Sequence, residues 1–288
     1  MSLWAQAWKL FKKNRAAYLS LWLVAGVCLM AIFAPVLAPY SFETQDVSRL
    51  LLAPDWHNWL GTDSLGRDVL SRIIYGARMS MSVGFLTALF SLIVGGIYGA
   101  VAGWAGGWVD SVMMRVIDIL YAIPDLVLLI LVTVVFNSVK IFENPELKAL
   151  TGIFLALSIV GWVSLARLVR GQVLQAKELL FVEGAISLGA SNSRILFRHI
   201  FPNILGPIIV MLTFQVPSNI LYESFLSFIG LGLQPPYSSW GVLANDGWHS
   251  IGYPHLILFP GAALFFTMLA FNLLGDGLRD AFDPKLRK

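Results

Sequence analysis

Few residues in this 288-residue sequence have the types and spacing that chemistry needs. No G-x-x-x-x-G-K-[ST] segment occurs, so the chain is not expected to cradle and hydrolyse ATP by that device. His57, His199, His249 and His255 form no H-E-x-x-H or other close metal-ligand pattern, and no G-x-S-x-G elbow presents a nucleophile. Cys28 is the single cysteine, which excludes an internal disulfide. Neither an enzymatic role nor a metal or cofactor held by this chain is therefore expected. What remains are ionisable groups in apolar surroundings, namely Arg115, Asp118, Asp125 and Glu223. Such groups are costly in a bilayer and mark pathways, partners or caps. Arg115 and Asp118, three residues apart, are expected to pair. Asp125 follows Pro124, beside an expected kink. Glu223 is expected in the outer half of a spanning helix, facing a second subunit. Asp125 and Glu223 are thus the candidates for lining a translocation path or a subunit interface.

The elements that must position these groups are membrane helices. Hydrophobic residues make up 57% of the chain and charged ones 13%, against about a quarter charged in an ordinary soluble domain. Mean hydropathy is +0.74. Asp, Glu, Lys and Arg are absent from Ala16 to Phe42, Met79 to Val109, Ala149 to Ala166, His199 to Tyr222 and Gly247 to Gly275. Each run is close to or above the roughly 20 residues that cross a bilayer once. Val112 to Phe136 is a further candidate despite its three charges, giving about six crossings. Nothing alternates as barrel strands do. The fold class is therefore an all-α integral membrane protein. The first run follows Lys9, Lys12, Lys13 and Arg15 but is too long for a signal peptide, so it reads as a retained helix.

Positive charge orients the chain. With the N-terminus in the cytoplasm, fourteen of the twenty Lys and Arg fall inside, so both termini are expected there. The net charge of +3 then reflects orientation in the membrane, not a nucleic-acid partner. The expected units are residues 1–40, a cytoplasmic tail and first helix; 41–78, an external loop; 79–279, a core of five helices; and 280–288, a cytoplasmic tail. In the external loop, Asp68 and Arg72 have helical pairing spacing, and a helix lying flat on the membrane is expected around Val69 and Ile73. The cytoplasmic segment 172–202 reads as two short helices broken at Gly189-Ala190-Ser191, with Phe181, Ala185 and Leu188 on one face and Ser191 as an N-cap. Gly95, Gly96, Gly99 and Gly103 mark a close helix approach. Trp104, Trp108, Trp240 and Trp248 are expected as interfacial anchors.

Three segments resemble one family. Glu183-Gly184-Ala185, then Gly189, then His199-Ile200-Phe201-Pro202 is similar to the E-A-A-x3-G-x9-I-x-L-P loop of ATP-binding-cassette importer permeases. Glu183, Ala185, Gly189 and Pro202 match; Gly184, His199 and Phe201 replace the family residues. Gly61-Thr62-Asp63, Gly66-Arg67-Asp68 and Ser71-Arg72 resemble the external loop of the dipeptide, oligopeptide and nickel branch. The third segment runs from Glu223 to Gly232, then Gln234-Pro235-Pro236 and Ser239-Trp240-Gly241. The resemblance covers nearly the whole chain, about residues 20 to 280.

The resemblance implies a type I ABC importer permease fold and a pore-forming subunit of an ATP-driven importer for peptides or a related small solute. It further implies a second homologous permease chain, two ABC ATPase subunits that hold ATP and magnesium, and an external solute-binding protein. The 183–202 loop would transmit nucleotide-driven motion to the helices. Two rivals stand beside it: an ion-coupled carrier using Asp118, Asp125 and Glu223, and an assembly subunit with no path of its own. Peptide, glutathione, peptide antibiotic, sugar and nickel chelate all stay open as cargo.

Overall fold

The computed structural model describes residues 3–139, 145–233 and 236–283. Lys140, the Gln234-Pro235 part of the third motif and the tail from residue 284 onward lie outside the described residues. Among the described residues the secondary structure is helical, apart from one isolated bridge between Thr62 and Asp68. The helices are α1 (Leu3–Lys13), α2 (Arg15–Ile32), α3 (Ala34–Leu37), α4 (Val69–Ala105), α5 (Gly107–Tyr121) and α6 (Asp125–Ser138). They continue with α7 (Pro145–Lys177), α8 (Leu180–Ser187), α9 (Asn192–Arg194), α10 (Phe201–Phe228), α11 (Trp240–Trp248) and α12 (His255–Phe282). A π-helical stretch, Ile195–Ile200, joins α9 to α10 without a break.

Among the described residues, five segments are long and apolar enough to span a membrane: α2, α4, α7, the α9–α10 rod and α12. The pair α5 and α6 passes the same test together but bends by 83°. Pro124 sits at that bend, where it ends one helix and opens the next. The sixth crossing anticipated between Val112 and Phe136 is therefore not a single straight helix but two helices meeting at a sharp bend.

Local chemistry sets the boundaries. Asn14 separates α1 from α2 by accepting from the Ala17 amide at 3.2 Å. Asp68 caps α4, accepting from the Ser71 amide at 2.7 Å. From there α4 runs for 37 residues without interruption. The separate surface helix expected near Val69 is instead its first turns, which are buried at Val69, Ile73, Ile74 and Ala77.

Among the described residues the α4–α7 contact is the most extensive between two helices, and glycines make it so. A Cβ on Gly95 would lie 2.6 Å from the Trp162 carbonyl oxygen, and one on Gly99 would lie 2.3 Å from that of Ala166. On Gly103 it would lie 2.9 Å from that of Arg170. Both helices step by four residues, so the two backbones stay in contact along one seam. Gly96 lies off that seam, its nearest neighbour being the Phe201 ring. Away from these contacts, Trp22, Ile93, Ile97 and Leu131 are exposed, the apolar surface a membrane protein presents to lipid or to another spanning subunit.

Candidate functional site

Three constellations carry the functional residues. The first gathers the 61–72 motif. Gly61 and Gly66 adopt φ of 80° and 73°, and the chain between them folds around the Asp63 carboxylate. Asp63 Oδ1 accepts from the amides of Leu65 (2.8 Å) and Arg67 (2.9 Å). Its Oδ2 accepts from Arg67 Nε at 2.7 Å and from Arg72 Nη1 at 2.5 Å. Arg72 Nη1 also donates to Asp246 on α11 at 2.9 Å. Two guanidinium groups thus face two carboxylates in a largely buried cluster. Burial pushes the Asp63 pKa up, but Arg72 and Arg67 outweigh it and hold the carboxyl below its usual range.

The pairing expected between Asp68 and Arg72 does not form. Asp68 is consumed as the α4 cap and accepts from Ser71 Oγ (2.7 Å) and Asn58 Nδ2 (2.8 Å), which leaves Arg72 to Asp63 and Asp246. The cluster ties the 61–68 loop to α4 and to α11.

Glu223, on α10, packs against a later turn of the same helix α4, and it does not face outward. It is 1% exposed. Ser80 Oγ of α4 donates to Oε2 and Ser227 Oγ to Oε1, each at 2.8 Å, and Ser224 Oγ approaches at 3.4 Å. Trp240, expected as an interfacial anchor, is fully buried against the same place; its Nε1 donates to the Ile73 carbonyl at 3.1 Å. Glu223 is therefore a junction between α4, α10 and α11, and the expectation that it faces a second subunit is corrected. Serine hydroxyls from within the chain satisfy it, leaving nothing for an outside partner.

The second constellation surrounds the α5–α6 bend. A cleft there is lined by Leu120, Tyr121, Asp125, Leu128, Val160 and Ser164, among others. Asp125 is exposed, with Tyr222 Oη 3.5 Å from its Oδ2. The Tyr121 hydroxyl lies 2.8 Å from Ser164 Oγ. Asp118, expected to pair with Arg115, instead accepts from Arg167 Nη2 at 2.8 Å. Packing of α5 against α7 decides this: Arg167 reaches Asp118 from the facing helix, and Arg170 likewise reaches Asp110.

The third constellation is the 183–202 loop. α8 turns Val182 and Ala185 inward, where they join a core with Val169, Val173 and Ile195. Phe181 and Leu188, expected to share the face of Ala185, point away: Leu180 is 83% and Leu188 89% exposed, and Phe181 and Ile186 are exposed too. Glu183, Gly184 and Gly189 are exposed as well. Gly189 takes φ 75° at the break between α8 and α9, and the Ser191 side chain caps α9 by accepting from the Arg194 amide. His199 is half-buried, its carbonyl accepting from Asn203 Nδ2. Pro202 is the second residue of α10, directly after the π-helical stretch; because the rod is continuous there, its missing amide leaves the preceding turn one bond short.

Sequence reasoning missed the Asp246 contribution and the Arg167–Asp118 pair. Asp246 has one signal, a lone carboxylate at the edge of an apolar run; Arg167 gives none, because directly after the apolar run ending at Ala166 it looks like any cation flanking a spanning helix.

Comparison with known proteins identifies the family. Residues 93–288 match the model of the binding-protein-dependent transport system inner membrane component. Residues 2–54 match the N-terminal TM domain of oligopeptide transport permease C. The dipeptide transport system permease protein DppC of Bacillus subtilis (strain 168) is 45% identical over 284 residues, 98% of this chain and 86% of that protein. The oligopeptide permease OppC of Escherichia coli (strain K12) is 44% identical over 289 residues, 99% of this chain and 92% of that one. The glutathione permease GsiD of Pectobacterium atrosepticum is 39% identical, covering 99% and 92%. Among solved structures, a chain of the inward-facing MetNI methionine ABC transporter superposes with a TM-score of 0.57 at 16% identity, over 74% of this chain and 97% of that one. That likeness shows the type I importer permease fold. The chain belongs to the family of binding-protein-dependent transport system inner membrane components, as a multi-pass permease subunit of an ABC importer.

Proposed function

We propose that this chain forms one half of the membrane path of a peptide importer. In this reading a second homologous permease chain completes the path. Two ABC ATPase subunits, which hold ATP and magnesium, dock on the cytoplasmic side, and an external solute-binding protein delivers the cargo. Both termini lie in the cytoplasm. The permease names of its relatives support peptides as the cargo; the loop geometry supports the coupling.

The observation that carries the coupling is α8. A helix of eight residues with its C-cap presents Leu180, Phe181, Ile186 and the capping Leu188 outward, while Val182 and Ala185 anchor it to the body. Outside lipid, such a face requires a partner, and an amphipathic helix seated in a groove is a common docking mode. Through Ser191, the π-helical stretch and Pro202, that helix connects rigidly to α10. Closure of the ATPase pair would displace α8 and thereby bias the helices between outward-open and inward-open states.

The test is uptake by the reconstituted complex. Leu188→Glu and Glu183→Lys change only exposed positions, so the subunit should stay abundant in the membrane while peptide uptake and peptide-stimulated ATP hydrolysis fall by about tenfold or more, the scale of one lost hot-spot contact. Near-wild-type uptake by both variants would overturn the coupling role. Uptake that persists without any ATPase subunit would point to a secondary carrier.

A further inference from the structure

We infer that Arg167 and Asp125 form a two-ended subsite for a short peptide, Arg167 taking its terminal carboxylate and Asp125 its terminal ammonium. The inference rests on the importer reading above and adds the groups that meet the cargo and the direction in which it lies.

Exposure is the first reason. Arg167 and Asp118 pair with side chains 42% and 54% exposed, whereas Arg72 and Asp63 are almost completely enclosed. Asp125, Tyr121 and Asp118 are exposed on the same side of the α5–α6 bend. Arg167 belongs to the Leu147–Lys177 stretch that is long and apolar enough to span a membrane, and an ion pair there would be costly if it met lipid, so we assign this face to a watered path.

Unused valence is the second reason. Arg167 lies with its guanidinium carbon 4.1 Å above the centre of the Tyr121 ring, which fixes the plane of the fork. Tyr121 is itself held by Ser164 at 2.8 Å. One nitrogen, Nη2, donates to Asp118; a guanidinium has five N–H donors and suits a bidentate carboxylate. Among the described residues, Asp125 receives the long 3.5 Å approach of Tyr222 Oη and keeps acceptor capacity for an ammonium.

Spacing is the third. Asp125 shares its cleft with Val160, and Arg167 follows Val160 by seven positions on α7. At 1.5 Å per residue those levels are roughly 10 Å apart, about the extended length of three residues. A zwitterionic dipeptide or tripeptide would lie along α7 with its carboxyl end toward the α8 end of that helix. When the cargo carboxylate arrives, it competes with Asp118 for Arg167.

The experiment uses the whole complex in proteoliposomes, with saturating binding protein preloaded with a tripeptide. Arg167→Gln and Asp125→Asn each should slow uptake by about tenfold, the usual weight of one charge-assisted hydrogen bond, and Asp125→Glu should recover most of it. The decisive variant exchanges the pair, Asp118→Arg with Arg167→Asp. It restores the ion pair but places a carboxylate where the cargo carboxylate would bind. Persistent loss of uptake, with normal abundance and normal recovery of the ATPase subunits, supports the subsite. Wild-type uptake by the exchanged variant shows that the pair is structural and overturns it. A wild-type complex that imports another solute but no peptide overturns the importer reading and the subsite together.

Discussion

Asp63 concentrates four hydrogen bonds on one carboxylate: two backbone amides and two guanidinium groups converge on it inside the protein. A buried charge deprived of its partner is strongly destabilising, because the remaining ion keeps its desolvation cost. Asp63→Asn leaves Arg67 and Arg72 with only the more distant charge of Asp246 and should lower stability by about 3 kcal/mol. A thermal unfolding scan in detergent, compared with wild type, reads this directly. The pH dependence has a definite sign. The folded pKa of Asp63 is lowered, so its contribution is complete above the ordinary carboxylate range and is lost as pH falls through the lowered value. Wild-type protein should therefore keep its midpoint from pH 7 down to about pH 5 and lose it in stronger acid. The Asn variant should lack that acid-sensitive portion, and an equally steep loss in it would rule out Asp63 as the source.

At the scale of elements, the α4–α7 seam and the α5–α6 bend show opposite uses of small residues and proline. On the seam the backbones touch, so even one methyl group must separate them. Gly99→Ala would place a Cβ 2.3 Å from the Ala166 carbonyl oxygen and should cost roughly 1–3 kcal/mol, the range of overpacking. Gly96→Ala, one residue earlier, meets only the Phe201 ring at 3.5 Å and should be neutral or stabilising by up to about 1 kcal/mol, since Ala is the better helix former. Equal unfolding midpoints for the two variants would refute the seam. Glycine spacing made this contact legible in the sequence, and Pro124 made the bend legible. The gap between Gly189 and Ser191 was legible for the same reason, as a turn residue followed by a cap. What was not legible depended on which helix faces which. Arg115 and Arg167 offer the same guanidinium to Asp118, and only packing chooses the second. Trp240 and Trp248 look alike in sequence, yet one is fully buried and the other 54% exposed. The face of α8 was misassigned because both sides carry apolar residues, so periodicity could not separate the anchor from the docking side.

At the scale of the molecule, one helix connects the three constellations. α10 begins at Phe201, at the end of the 183–202 loop, passes Tyr222 at the cleft, and holds Glu223 among serines of α4 and its own last turns. Glu223 and Trp240 then join α10 to α4 and α11, and the Arg72 cluster joins those two to the 61–68 loop. If α8 moves as proposed, this chain of contacts predicts an effect at the 61–68 loop, and by reciprocity an event at that loop would bias α8. Within this chain, Glu223→Gln should preserve transport, because the amide still accepts from hydroxyls, whereas Glu223→Leu orphans three serines and should deplete the subunit from the membrane. Asp246→Asn tests the long-range link more sharply. It weakens the tie between α11 and Arg72 without touching α8, so ATPase subunits should still co-purify in full. Stimulation of ATP hydrolysis by loaded binding protein should fall by about fivefold, the lower end of ordinary coupling free energies. The measurement is the ratio of stimulated to basal hydrolysis in nanodiscs. A ratio equal to wild type, with the variant stably folded, would mean that the external cluster holds the fold together but carries no signal to the coupling loop.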